Sequence, residues 1–207
     1  MFQREVMDKK IISEQVYSLQ GIVKIGLLSA IAVVLTLISM PIPIFPAFLK
    51  IDIGDLPALI GGFALGPVAG IIVEFIKNVF NFILKNDGTG GIGNLSNFIV
   101  GVSFVVPASI IYMKEKTKKG AITGMIAGVI FMVVFSSLSN YYVIVPLYAK
   151  LFSMETIMNA MKQANPNITD MKTYIIYAVI PFNIIKGAVV SIIALLIYKK
   201  VSPILHR

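Results

Sequence analysis

The chain has 207 residues, 57% of them hydrophobic and 14% charged, with a formal net charge of +8 and a mean hydropathy of +0.88. That is far too apolar for a soluble domain of this size. There is no cysteine and the single histidine is His206, next to the C-terminal residue. Disulfides, thiolate metal sites and cysteine nucleophiles are therefore excluded, and histidine gives no basis for a metal centre or a triad.

Residues 1–21 are polar and hold Arg4, Glu5, Asp8, Lys9, Lys10 and Glu14. They are too acidic and too long for the n-region of a cleaved signal. A short cytoplasmic helix leading into an uncleaved first span over 22–40 is expected. Within that span Gly26 and Ala30 form a small-xxx-small pair, which lets two helices approach closely, either inside the protein or against a partner. Pro41, Pro43 and Pro46 then break the chain, and the loop 41–55 carries Phe45, Phe48, Leu49, Lys50, Asp52 and Asp55.

The apolar stretch 56–84 is interrupted by Gly61-Gly62 and Gly66-Pro67. Two full spans need about 40 residues, so this stretch predicts a tight hairpin of 56–65 and 67–84. Its first arm is too short to cross a bilayer alone and needs protein around it. On the second arm Glu74 and Lys77 are three apart and share a face, with Asn78 adjacent; they are expected to neutralise each other, the rival being a proton or ion pathway, which would normally want more than one isolated carboxylate. The run Gly88-Thr89-Gly90-Gly91-Ile92-Gly93 matches G-x-G-x-x-G but follows a membrane helix rather than a strand, so it reads as a turn. No P-loop motif occurs, so any ATP-driven motor must be another protein.

Residues 94–113 form a clean span, with Asn97 one turn inside it. A charge-free stretch then predicts a span over 121–140 ending at Asn140, followed by a loop re-entering at 141–148. Residues 150–172 are a polar excursion that turns at Asn165-Pro166-Asn167. The last span, 174–198, carries Asn183 and Lys186 near its middle. A lysine there costs about 2.5–3.5 kcal/mol on insertion scales, so it should face the interior and hold a partner or a ligand. Asn183 and Lys186 lie three apart on one face, and Gly187 beside them removes bulk.

The pattern makes an all-α, polytopic membrane protein of six helices with a short second helix. Its single domain, 1–207, divides into a cytoplasmic segment 1–21, a bundle 22–199 and a cytoplasmic tail 200–207. Eleven basic residues fall on the side of the termini and the Lys114–Lys119 loop, and five on the other. The positive-inside rule puts both termini in the cytoplasm. The same distribution makes the positive charge a topology and lipid-headgroup signal, with no nucleic acid as partner. Asn97, Asn140, Asn183 and Lys186 come from three long helices and lie toward the outer half, with Phe98, Tyr141 and Phe182 beside them. Such convergence fits a small-molecule pocket. Asparagine both donates and accepts, which suits an amide-imide edge. With one cation and no clustered acid in view, the expected ligand is flat, neutral or weakly anionic, and rich in carbonyls and hydroxyls.

Several motifs carry a family resemblance. The segment from Phe48 to Pro57 (Phe-Leu-Lys-Ile-Asp-Ile-Gly-Asp-Leu-Pro), Gly66-Pro67-Val68-Ala69-Gly70 and Glu74-Phe75-Ile76-Lys77-Asn78 are similar to the substrate-binding subunits of energy-coupling factor (ECF) vitamin transporters. Asn97-Phe98, Asn140-Tyr141 with Pro146-Leu147-Tyr148, and Pro181-Phe182-Asn183-Ile184-Ile185-Lys186-Gly187 resemble the riboflavin-specific branch. The resemblance implies a bacterial cytoplasmic-membrane subunit that binds riboflavin near its outer face as transported ligand, with no cofactor and no enzymatic step. A transmembrane coupling subunit and two ATPase subunits would be its partners. By the same resemblance Asn140, Asn183 and Lys186 bond the flavin, and the loop around Phe48, Leu49 and Lys50 closes over it. The family often docks on the coupling subunit through Ala-x-x-x-Ala on the first helix, where this chain has Gly26 and Ala30. The alternatives are the same scaffold with another vitamin or precursor, and a solitary secondary carrier. The missing inverted repeat and missing paired membrane carboxylates speak against the carrier. A membrane enzyme lacks a nucleophile, a metal cluster and an acid–base pair.

Overall fold

The computed structural model of the chain describes residues 16–85 and 88–205. Of the expected cytoplasmic segment 1–21, residues 1–15 lie outside the described residues, as does His206, while Leu19–Gly21 already belong to the first long helix. Helix α1 spans Leu19–Leu37; the Ser18 hydroxyl caps it by accepting from the Gly21 amide at 3.0 Å. Two short strands follow, β1 (Met40–Pro41) and β2 (Lys50–Ile51), paired antiparallel with Met40 opposite Ile51. The segment expected as a loop is thus a pinned hairpin, with Phe45 and Phe48 between its strands.

Helices α2 (Asp55–Leu65) and α3 (Pro67–Leu84) are the predicted hairpin. Gly66, at φ 97°, makes the corner that a residue with a Cβ resists, and Pro67 starts α3 where no amide partner is needed. Nine of the eleven α2 residues are buried, so this arm is shielded as its length requires. The glycine-rich run is a turn with Gly88, Gly90 and Gly91 at positive φ.

Helix α4 (Ile92–Lys114) packs against α5 (Lys118–Ser139). A Cβ at Gly124 or Gly128 would sit 2.6 Å from the Ala108 or Phe104 carbonyl oxygen. A close helix contact is therefore made at Gly124-x-x-x-Gly128, which reading the sequence missed, while Gly26 and Ala30 face outward with no atom within 4 Å of a Cβ at Gly26. Gly187, expected beside the pocket, packs instead on Val129 and Met132 of α5.

The re-entrant loop expected at 141–148 is absent. After α5 the chain widens into a five-residue π-turn, Asn140–Ile144, and continues as α6 (Val145–Phe152). Pro146 has no amide to donate, and a π-turn just before it lets the helix carry on without a break. The same device recurs downstream. Helix α7 (Met154–Ala164) and the Asn165 turn lead to α8 (Met171–Tyr174), a second π-turn over Ile175–Val179, and α9 (Ile180–Leu205), whose second residue is Pro181. A capping box between Asp170 and Thr173 starts α8. The Thr173 amide, with the Thr173 hydroxyl, holds the Asp170 carboxyl below its ordinary value.

Among the described residues five helical stretches are long and apolar enough to cross a membrane: Leu19–Leu37, Pro67–Leu84, Ile92–Lys114, Lys118–Phe152 and Met171–Tyr198. With them goes the short apolar helix Asp55–Leu65. The buried side chains form two clusters. One joins α1–α5 with the far half of α9 around Leu59, Phe104 and Met132; the other joins the hairpin, α6, α7 and the start of α9 around Phe45, Tyr148 and Tyr174.

Candidate functional site

A cavity of about 100 Å³ opens where the two apolar clusters meet, with Val100 of the first and Ile144, Tyr148 and Phe182 of the second in its wall. Asn97 from α4, Asn140 from the π-turn, Asn183 and Lys186 from α9, and Phe48, Leu49 and Lys50 from the hairpin all line it. These are seven of the eight residues the sequence marked for binding.

Tyr141 is the eighth, and the structure does not bring it to the cavity. It is exposed on the outer face of the π-turn and packs edge-on to Tyr142, ring centroids 4.8 Å apart. One residue along a helix turns the side chain by about 100°, so the neighbour of an inward asparagine points away. Tyr148 takes the place expected of it, since Asn140, Ile144 and Tyr148 follow at intervals of four along one face. Phe98 departs for the same reason: it meets Phe75, centroids 6.1 Å apart, outside the cavity, whereas Phe182 lines it.

The side-chain bonding is specific. Asn140 donates to the Ser136 carbonyl at 2.9 Å and accepts from the Tyr174 hydroxyl at 3.2 Å. Asn183 donates to the Val179 carbonyl at 2.8 Å. Each amide is thereby oriented by its own helix, a second layer that fixes how it meets a ligand. Asn94 accepts from Asn81 at 2.7 Å, and both line the wall together with Thr36, Ser39 and Ser96. None of these five was marked by the sequence, because each reads as an ordinary polar residue near a helix end.

The largest departure concerns charge. Lys186 was expected as a lone cation with no clustered acid. Instead its Nζ lies 3.2 Å from Asp52, 3.0 Å from Asp55 and 2.7 Å from the Asn97 carbonyl oxygen. Asp55 also accepts from Lys77, whose Nζ lies 2.6 Å from Glu74. The expected Glu74–Lys77 pair is present, but as one end of a chain of three carboxylates and two ammoniums, all buried. Asp52 is held in turn by the Gly54 amide at 2.8 Å. Gly101 lies against the Glu74 carboxylate with no space for a Cβ. Buried charges persist only when paired and hydrogen-bonded in this way.

The hairpin covers this floor. The Phe48 ring sits 5.7 Å from that of Tyr148 and 6.2 Å from that of Tyr174, and Phe45 meets Phe182 edge-on at 5.5 Å. Aromatic contacts of this kind add about 0.5–1.5 kcal/mol each beyond area burial. The hairpin is held to α6 and α9 by rings, and to Lys186 through Asp52 just beyond β2.

Residues 20–198 match the family described as ECF transporter, substrate-specific component. The chain is 40% identical over 186 residues to the riboflavin transporter RibU of Staphylococcus aureus (strain TCH60), covering 90% of this chain and 92% of that protein. It is 34% identical to the riboflavin transporter FmnP of Bacillus subtilis (strain 168), covering 88% and 92% respectively. A solved structure of the S component of a bacterial ECF transporter superposes with a TM-score of 0.72 at 39% identity, covering 90% of this chain and 97% of that one.

Proposed function

The chain belongs to the family of substrate-specific components of ECF transporters, and from that premise we propose that it is the riboflavin-binding membrane subunit of an ECF-type importer. It is a multi-pass membrane protein whose role is transport and not catalysis. The proposal extends to six spans in one membrane domain, both termini in the cytoplasm, and a place in the bacterial cytoplasmic membrane. A coupling subunit and two ATPase subunits would supply the work of ATP hydrolysis, for which this chain has no P-loop.

One observation carries the ligand assignment. Oriented asparagines from the π-turn and α9, with Asn97 and Lys186, meet under an aromatic cover. Riboflavin presents a flat ring system with an amide-imide edge and a hydroxylated tail. Asn140 and Asn183 suit the edge, Phe48, Leu49 and Tyr148 suit the ring faces, and Lys186, on exchanging its bond to Asn97 for one to the ligand, suits carbonyl or hydroxyl oxygens. Lys50, on β2, lines the cavity as well. A cationic vitamin fits less well, because Asp52 and Asp55 are already engaged by Lys186. Titrating the purified protein with riboflavin and following flavin fluorescence tests this. Saturable quenching at one flavin per chain is expected, unaffected by excess thiamine. Absence of quenching, or displacement by thiamine, would move the assignment to another vitamin.

The cavity of about 100 Å³ is smaller than ligand sites, which run to about 300–1,000 Å³, so the hairpin has to swing out for a flavin to enter. Bound riboflavin is expected to slow amide exchange over residues 41–51. Replacing Phe48 and Leu49 with serine should raise the dissociation rate more than it lowers the association rate. Equal exchange with and without riboflavin, together with normal dissociation in the double variant, would make the hairpin a passive connector.

Docking on the coupling subunit is assigned to α1. Gly26 and Ala30 are exposed there among Ile22, Val23, Leu27 and Val34, a smooth apolar stripe. Gly26→Leu or Ala30→Leu should abolish uptake in cells while riboflavin binding by the isolated protein is unchanged. Loss of binding would mean that this face packs internally.

A further inference from the structure

Helices α4 and α5, so tightly joined on their inner sides, diverge on the outside into an apolar groove of about 730 Å³. Val102, Val106 and Ile110 form its floor on α4, Ile71 of α3 closes one side, and Phe131 and Phe135 of α5 form the other. The two phenylalanine rings are stacked, 6.1 Å apart and 12° from parallel, so they present one flat wall. Two small lining residues, Ser103 and Pro107, hollow the α4 ridge. The Ser103 hydroxyl donates to the Val100 carbonyl at 2.8 Å, so it makes no demand on an occupant. The lining runs from Phe98 to Ile111, about 20 Å at 1.5 Å per residue. A leaflet of a bilayer is about 15 Å of hydrocarbon. The groove is therefore long enough to take one acyl chain through a leaflet, with about 5 Å to spare.

Its end is charged. Lys114 follows Ile110 by four residues and Pro107 by seven, so it stands on the groove's own stripe one turn further on. Lys118 and Lys119 open α5 across a three-residue turn, and all three lysines are exposed. Lys116 lies in that turn. Glu115, the one acid there, accepts from the Thr117 hydroxyl at 3.1 Å. Basic side chains at the end of a lipid-facing groove attract anionic headgroups.

We propose that this groove holds one acyl chain of a resident anionic phospholipid, whose phosphate rests on Lys114, with Lys118 and Lys119 at the start of α5 adding to the positive field there. The inference does not depend on which vitamin the cavity takes. A protein occupant is less favoured, since a second chain would have no use for lysines placed at headgroup depth. The small-residue stripe of α1 lies elsewhere, on a helix packed against α2 and α3.

The test is native mass spectrometry of the purified protein with dioleoylphosphatidylglycerol or dioleoylphosphatidylcholine added at equal concentration. One phosphatidylglycerol per chain is expected to survive collision energies at which phosphatidylcholine has left. Val106→Trp, which fills the groove, should abolish retention of both lipids with an unchanged thermal unfolding midpoint. Ile110→Trp, at a position already 44% exposed, serves if Val106→Trp lowers that midpoint. The triple variant Lys114→Gln, Lys118→Gln, Lys119→Gln should reduce phosphatidylglycerol retention to the phosphatidylcholine level. Equal retention of the two lipids by the unaltered protein would overturn the headgroup assignment. Undiminished retention by both tryptophan variants would overturn the groove. A dimer lost in those variants would replace the lipid by a second copy.

Discussion

Lys186→Ala is expected to lower riboflavin affinity by about ten- to a hundredfold or slightly more, the equivalent of one charge-assisted hydrogen bond of about 1.5–3 kcal/mol. It should also lower the unfolding temperature, because it strips the counter-charge from Asp52 and leaves Asp55 with Lys77 alone. Breaking a buried pair in this way typically costs about 3–5 kcal/mol. The two effects separate in a double variant. Asp52→Asn with Lys186→Ala restores the charge balance, so the unfolding midpoint should recover while affinity stays low. Flavin fluorescence titration and thermal unfolding in detergent measure the two quantities. Recovery of both would leave Lys186 as a purely structural cation.

Lys77→Met is expected to be the more damaging change to the fold. It leaves Asp55 and Glu74, both fully buried, without the ammonium between them. A loss of about 3–5 kcal/mol is typical when one partner of a buried pair is removed, against a total stability of about 5–15 kcal/mol for a whole domain. Glu74→Gln should be far milder, because the lysine keeps Asp55 and the amide still fits against Gly101. Added riboflavin should raise the midpoint of both variants to the extent that the cavity still forms. A Lys77→Met protein that unfolds with the unaltered one would show that the network contributes nothing net.

Local signals read directly where one short stretch of chain decides the outcome. Gly66-Pro67 fixed the corner between α2 and α3, and the length of that stretch fixed the short first arm. Asn183 and Lys186 were legible as an interior face because their spacing and their cost in a membrane argue the same way. What failed has two physical sources. Helical phase misled at Tyr141 and Phe98, each adjacent in sequence to a lining asparagine and each turned away from it. The π-turns could not be seen either: a widened turn keeps Asn140, Ile144 and Tyr148 on one face, yet its sequence, with Pro146 after it, resembles a helix end. The second source is distance along the chain. Asp52 and Asp55 sit among prolines and read as loop residues, and nothing near them announces that α9 will supply their partner. Gly124 and Gly128 were passed over because small residues are common in such helices and only the neighbouring backbone shows which pair is in contact.

The pairing of Asp52 with Lys186 also bears on the order of events during synthesis. The two residues are 134 positions apart in the chain, so at about 5–20 residues per second Asp52 is made roughly 7–27 s before its lysine exists. Asp55 waits less, since Lys77 follows it by 22 positions. Asp55 and Lys77 can therefore join α2 to α3 as an ion pair early. The hairpin that carries Asp52 has no counter-charge to hold it down until the last helix has entered the membrane. The cover over the cavity then gains its last anchors, Phe182 under Phe45 and Lys186 under Asp52, only when α9 is in place.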